Sequence, residues 1–222
     1  MKEFKKYFFE YFRYESDFIN LINNLTLNFQ VLVFGGFVRD FIYESKLGSR
    51  DTDIVVNIEN DILFDCISSF IDNDKITINQ FGGYKLILNN SNVDIWSTNE
   101  TWAIKNGYFT KEELLKTVYL NIDAYAYDLT NNMFLEDCNH LRISTIDIAF
   151  PINPNEELNL ARSLVLSHKY GIDISNAIKS KLREILNSKI KRTKFLKSQI
   201  NHYGKVEITI NNLYMFLGKE GH

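Results

Sequence analysis

Cysteine and proline are nearly missing from this chain, with two of each in 222 residues. Cys66 and Cys138 lie far apart and form no C-x-x-C pair, which excludes a disulfide framework and a structural zinc site and fits a reducing, cytoplasmic setting. No uninterrupted apolar run approaches the roughly 20 residues that a bilayer span needs, and no signal-peptide pattern opens the chain, so a soluble protein with no membrane partner is expected. Internal repeats are also missing, and the abundance of Asn, Ile, Lys and Phe reads as genomic AT bias rather than low complexity. Glu220-Gly221-His222 is expected to be an expression-tag remnant, so His222 enters no metal argument. His140, His168 and His202 do not stand at ligand spacing.

What is present is enough apolar material, 45% of residues, for one substantial core and a small second one. A catalytic domain over 1–150 and a small helical domain over 151–219 are expected, divided at Pro151 and Pro154. Net charge is -3 but uneven. From Lys179 to Lys205 nine Lys or Arg face one acid, Glu184, which gives that segment +8 and leaves -11 elsewhere. Lys189, Lys191, Arg192, Lys194 and Lys197 are therefore candidates for an RNA-binding surface, and a merely solvated helix face weighs equally from composition alone. Phe195 and Tyr203 lie among these charges, placed either to stack on bases or to join the core.

Periodicity predicts a helix over 15–25, a buried strand over 30–34, a Gly35-Gly36 turn, a helix over 37–43, a polar loop over 46–50 and a strand over 51–56. A helix over 60–71 should follow, then strands over 76–78, 84–88 and 92–96, the first two joined through Gly82-Gly83. Thr110-Lys-Glu-Glu113 reads as a capping box. A hairpin is expected from 122–129 to 133–135, turned at 130–132, then a helix over 156–170 and one long basic helix over 175–201.

Alternate residues of a strand share a face, so Asp51 and Asp53 should project together. Adjacent carboxylates repel unless a cation lies between them, and carboxylate oxygens suit Mg²⁺ or Mn²⁺. Asp94, flanked by Val93 and Ile95, is a third strand acid that would be costly without a partner. Cations held by the three could carry a nucleoside triphosphate through an in-line displacement. Gly35 and Gly36 allow backbone to approach phosphate closely, and Arg39, one turn into the next helix, could add a charge-assisted bond.

Phe34-Gly-Gly-Phe-Val-Arg-Asp40 followed by Arg50-Asp-Thr-Asp-Ile-Val-Val56 resembles the signature of the poly(A) polymerase head domain, the catalytic part of class II CCA-adding enzymes and poly(A) polymerases within the DNA polymerase β-like nucleotidyltransferase superfamily. Asn92-Val-Asp-Ile95 is similar to the strand bearing the third acid. Ile122-Asp-Ala-Tyr-Ala-Tyr-Asp128 and Leu135-Glu-Asp137 resemble later segments, and 161–174 resembles the neck helix. The resemblance implies an α+β fold: a nucleotidyltransferase head with a mixed, largely antiparallel sheet flanked by helices, then a helical neck. It implies metal binding by Asp51, Asp53 and Asp94, and nucleotide contacts from Gly35, Gly36, Arg39, Arg50, Asp123 and Arg162. Two departures stand out. Thr117-Val118-Tyr119 replaces an Arg-Arg-Asp, and the following Asn is Asp123. Asn155, Glu156 and Asn159 replace the Glu-Asp-x-x-Arg that reads the incoming base, where a neutral Asn lacks the paired donors of Arg. Full CCA-adding enzymes also extend further into helical body and tail regions, so a minimal head-and-neck protein is implied.

The expectation is a Mg²⁺-dependent enzyme that moves a nucleotidyl group from an NTP to a hydroxyl on RNA, of tRNA-end type. A small-molecule or protein acceptor is the alternative, and a silent nucleotide- or RNA-binding module the second. Two observations would sink the scheme: Asp94 on the opposite face from Asp51 and Asp53, or a lysine in the space meant for the metal.

Overall fold

The computed structural model describes residues 4–45, 51–79, 81–89, 91–135 and 142–218. In chain order the elements are α1 (Phe4–Tyr11), α2 (Ser16–Asn28), β1 (Val31–Phe34), α3 (Gly36–Ile42), β2 (Asp51–Val56), α4 (Asn60–Ser68), β3 (Ile76–Ile78), β4 (Tyr84–Ile87), β5 (Asn92–Ser97), α5 (Trp102–Lys105), β6 (Ala126–Asp128), β7 (Met133–Phe134), β8 (Thr145–Ile146), α6 (Glu156–Tyr170), β9 (Asp173–Ile174), α7 (Asn176–Asn187), α8 (Lys189–Tyr203) and α9 (Ile210–Gly218). Contacts divide the chain into one unit of residues 1–117 and 123–141 and another of 118–122 and 142–222. In this division 118–122 and 142–150 group with the residues that follow Pro151.

The first unit is built on a seven-stranded sheet in the order β3-β4-β5-β2-β1-β6-β7. Only β2 and β5 run parallel; every other neighbouring pair is antiparallel. This is the expected mixed, largely antiparallel α+β arrangement. Alternation sorts the strands into two faces. Val31, Val33, Ile54, Val56, Val93, Ile95, Tyr84 and Leu86 join the main core together with Phe18, Leu21, Ile22 and Leu25 of α2 and Leu63 and Ile67 of α4. Phe4, Phe8 and Phe12 recur at helical spacing and are all buried in that core, so α1 is held by aromatic packing. On the other face Leu32, Val55 and Leu114 form a small second cluster with Phe34, Trp96 and Ile104.

The capping box is present, since Glu113 Oε2 accepts from the Thr110 amide at 3.2 Å. What it opens is a 3₁₀ segment, Lys111–Thr117, kinked at Glu113. In the second unit the predicted long basic helix is two helices. Ser188 sits in extended backbone and its Oγ accepts from the Lys191 amide at 3.3 Å, so it ends α7 and caps α8. Phe195, Leu182, Ile185 and Leu213 are buried there, which settles Phe195 as core. No described helix is long and apolar enough to cross a membrane.

Candidate active site

The acids come together through register. In the parallel pair Asp53 lies opposite Asp94 and Asp51 opposite Asn92. Asp53 also lies opposite Phe34 of β1, and Asp94 opposite Lys85 of β4. Residues paired across strands project to the same side, so Lys85, Asp94, Asp53 and Phe34 form one row across β4, β5, β2 and β1, and Asp51 stands on the same face. The first adverse observation is therefore absent: Asp94 shares a face with Asp51 and Asp53. All three are partly exposed, at the sheet end where β1 leads into the Gly-Gly turn.

Gly35 shapes that end. Its φ is +67°, a left-handed conformation that favours glycine, and its amide donates to the Tyr125 carbonyl at 2.8 Å. A Cβ built on Gly35 would lie 3.8 Å from Asp53 Oδ2, so the turn passes directly beside the carboxylate. Gly36 opens α3.

Two side chains that motif reading missed complete the cluster. Asn79 Nδ2 donates to Asp94 Oδ1 at 3.1 Å, while Asn79 Oδ1 accepts from the amides of Phe81 and Gly83 at 2.9 and 3.1 Å. The β3–β4 turn is thereby tied to Asp94. It is fixed a second time at Gly83, where a Cβ would come within 2.5 Å of the Trp96 ring. Lys85 Nζ lies 3.6 Å from Asp94 Oδ2 and 3.8 Å from Asp51 Oδ1. The second of those adverse observations is therefore realised in part: a lysine stands beside Asp51 and Asp94, which counts against one ion shared by all three acids as the side chains lie. The strand over 84–88 was expected, and register decides which residues Lys85 faces.

The donor chemistry suits a divalent ion at Asp51 and Asp53, which offer hard oxygens from one face. Asp94 is a different matter. One oxygen is taken by Asn79 and the other faces Lys85, and the described residues contain no ready group of three or more His, Cys, Asp or Glu for an ion. The expected assistance of Asp94 to Asp51 and Asp53 has to be reached through these two partners. Both lysine distances exceed hydrogen-bond length, so the ammonium offsets charge without a directed bond, and half-exposed pairs of this kind contribute about 0–1 kcal/mol. Asp51 and Asp53 fit a metal, with Asp94 joining only if Lys85 moves.

Arg39, expected to bond a phosphate, already has carboxylate partners. It is buried, its Nη1 donating to Asp123 and its Nε and Nη2 to Asp40 Oδ1 at 3.2 and 3.1 Å. Asp123, expected at the nucleotide, is the other half of that ion pair, so both are engaged in holding α3 to the segment before β6. Arg50 lies outside the described residues, as do Glu136 and Asp137.

The remaining candidates belong to the second unit. Arg162 Nη1 reaches Asn159 Oδ1 at 3.5 Å. Of the basic set, Lys191 pairs with Glu184 at 2.6 Å and Arg192 Nη1 donates to the Leu186 carbonyl at 2.7 Å, whereas Lys189, Lys194 and Lys197 are exposed on α8. The Lys191 contact holds Glu184 below the usual carboxylate range. Tyr119 is buried near Glu156, and burial followed by that carboxylate raises its hydroxyl well above the usual tyrosine value.

No family model and no curated protein matches the chain. Solved structures do. A CCA-adding enzyme in complex with ATP superposes with a TM-score of 0.59 at 18% identity, over 85% of this chain and 47% of that one. A tRNA-processing enzyme in an apo form gives 0.58 at 16%, over 94% and 57%. The Thermotoga maritima CCA-adding enzyme complexed with tRNA gives 0.53 at 19%, over 81% and 47%. The fold is that of CCA-adding enzymes, and the chain spans about half the length of these structures.

Proposed function

We propose that the chain is a metal-dependent nucleotidyltransferase that moves a nucleotidyl group from an NTP to a hydroxyl on RNA in the cytoplasm, its first unit acting as catalytic head and its second as neck. The observation that carries this reading is the register that sets Asp53 against Asp94, with Asp51 on the same face, beside a glycine turn passing close to Asp53. The fold shared with CCA-adding enzymes, one solved with ATP and one with tRNA, supports it.

Asp51 and Asp53 would hold Mg²⁺ or Mn²⁺, which when bound neutralises triphosphate charge and activates the attacking hydroxyl. Gly35 and Gly36 leave backbone open to the phosphates. Asn79 fixes one oxygen of Asp94 and so sets the orientation of the third acid. The Arg39 network keeps α3, and with it the glycine turn, in place. Lys189, Lys194 and Lys197 offer exposed cations to an RNA backbone. Incubation with labelled NTPs, Mg²⁺ and total RNA should label RNA, and the double substitution Asp51→Ala, Asp53→Ala should abolish it; equal labelling by the variant refutes the assignment.

A second reading keeps the chemistry and changes the acceptor to a small molecule or protein. It is favoured by length, since the chain spans about half of the CCA-adding enzymes whose fold it shares. An RNA affinity that does not fall as salt is raised would support it, because phosphate contacts release counterions and are salt-sensitive.

A further inference from the structure

Charge in the acid cluster is not left for metal alone. Lys85 is placed there by the same strand alternation that buries Tyr84 and Leu86 on the opposite face, and by the antiparallel register that sets it against Asp94. Its ammonium lies between two carboxylates of different strands, 3.6 Å from Asp94 and 3.8 Å from Asp51, bonded closely to neither. Its side chain is 32% exposed, so the head can swing out toward solvent or an incoming anion without breaking a buried contact. A strand of this sheet therefore carries a cation into the position that a metal shared by Asp51 and Asp94 would need.

We propose that Lys85 is a resident counter-cation, a positioning residue that occupies one cation position of the site. It holds Asp51 and Asp94 in register when no divalent ion is bound, and it competes with such an ion for their oxygens. An ion shared by Asp51 and Asp94 then requires Lys85 to leave, and the leaving ammonium is placed to meet a triphosphate oxygen. The proposal rests on the reading of Asp51 and Asp53 as metal ligands.

The test uses the full chain and Mn²⁺ alone, with bound ion counted by electron paramagnetic resonance and thermal stability followed with and without chelator. Lys85→Met keeps the stem and removes the charge. It should bind Mn²⁺ about tenfold more tightly than the wild type, the order expected for removing one like charge about 4 Å from the ion's ligands. It should also melt earlier in chelator and regain that loss when Mn²⁺ is added, which a lysine with a merely structural role would not show. Lys85→Arg, which keeps the charge, should bind Mn²⁺ as the wild type does. Equal affinity in Lys85→Met and wild type overturns the proposal while leaving the metal site intact. If Asp51→Ala, Asp53→Ala binds Mn²⁺ as tightly as wild type, the metal reading itself fails, and this inference with it. Should Lys85→Met not fold, Lys85→Gln replaces it with the same two outcomes.

Discussion

The first unit carries two clusters in which acids outnumber bases, and they are built differently. Asp51, Asp53 and Asp94 share a face at a sheet end that is partly open, with Lys85 between Asp51 and Asp94 and side-chain exposures of 31% for Asp51 and 17% for Asp94. Arg39, Asp40 and Asp123 form a buried group, with exposures of 8%, 3% and 11%. In the buried group the guanidinium makes directed bonds to both acids, as a charge removed from water must. In the open group the lysine stands beyond hydrogen-bond range of both partners. The difference is one of build: the closed network holds its charges through directed bonds, while in the open one a lysine faces two acids at longer range.

Removing an acid from the open cluster should act on reaction rate and not on folding. Asp53→Asn is expected to lower nucleotidyl transfer by about a thousandfold or more while leaving the melting temperature unchanged or slightly raised, because one of several like charges is gone. A steady-state assay beside a thermal melt reads both; a large stability loss would erase the distinction between the clusters. In the buried cluster Arg39→Met should cost about 3–5 kcal/mol by leaving Asp40 and Asp123 without their cation, measured by urea unfolding. Adding Asp123→Asn to that variant should recover part of the loss, and additivity of the two changes would argue against a coupled network.

Gly83→Ala probes the turn that steadies Asp94. Its new methyl group would meet the Trp96 ring, and overpacking of this kind costs about 1–3 kcal/mol. Because Asn79 bonds both the turn and Asp94, activity should fall by more than the stability change alone explains. The smallest effect belongs to α8. Removing Lys194 and Lys197 together should reduce the slope of log affinity for RNA against log salt by about two, with no change in melting temperature. An unchanged slope would show that these lysines are only a solvated face.

Much of the fold could be read from local pattern. The strand 51–56 and the helix 156–170 match their predicted limits, because alternation in one and apolar spacing in the other are confined to adjacent residues. The division of the basic segment could not be read that way. Ser188 looks like any polar residue on a helical surface, and only its extended backbone makes it a cap. At the site, the shared face of Asp51 and Asp53 followed from a spacing of two. The partners of Arg39 did not: Asp123 is 84 residues away in sequence, so the Gly-Gly-x-x-Arg pattern that suggests a phosphate ligand says nothing of the carboxylates that Arg39 bonds. Lys85 stayed hidden for the same reason, since no pattern within β4 reveals which residue of β5 it faces.

A structure determined with Mn²⁺ and a non-hydrolysable NTP tests the central claim most directly. The account predicts an anomalous peak bonded to the carboxylates of Asp51 and Asp53, with the triphosphate beside Gly35 and Lys85 drawn away from Asp94. A structure with triphosphate bound elsewhere, or with Lys85 still between Asp51 and Asp94 and no ion on Asp53, would contradict it.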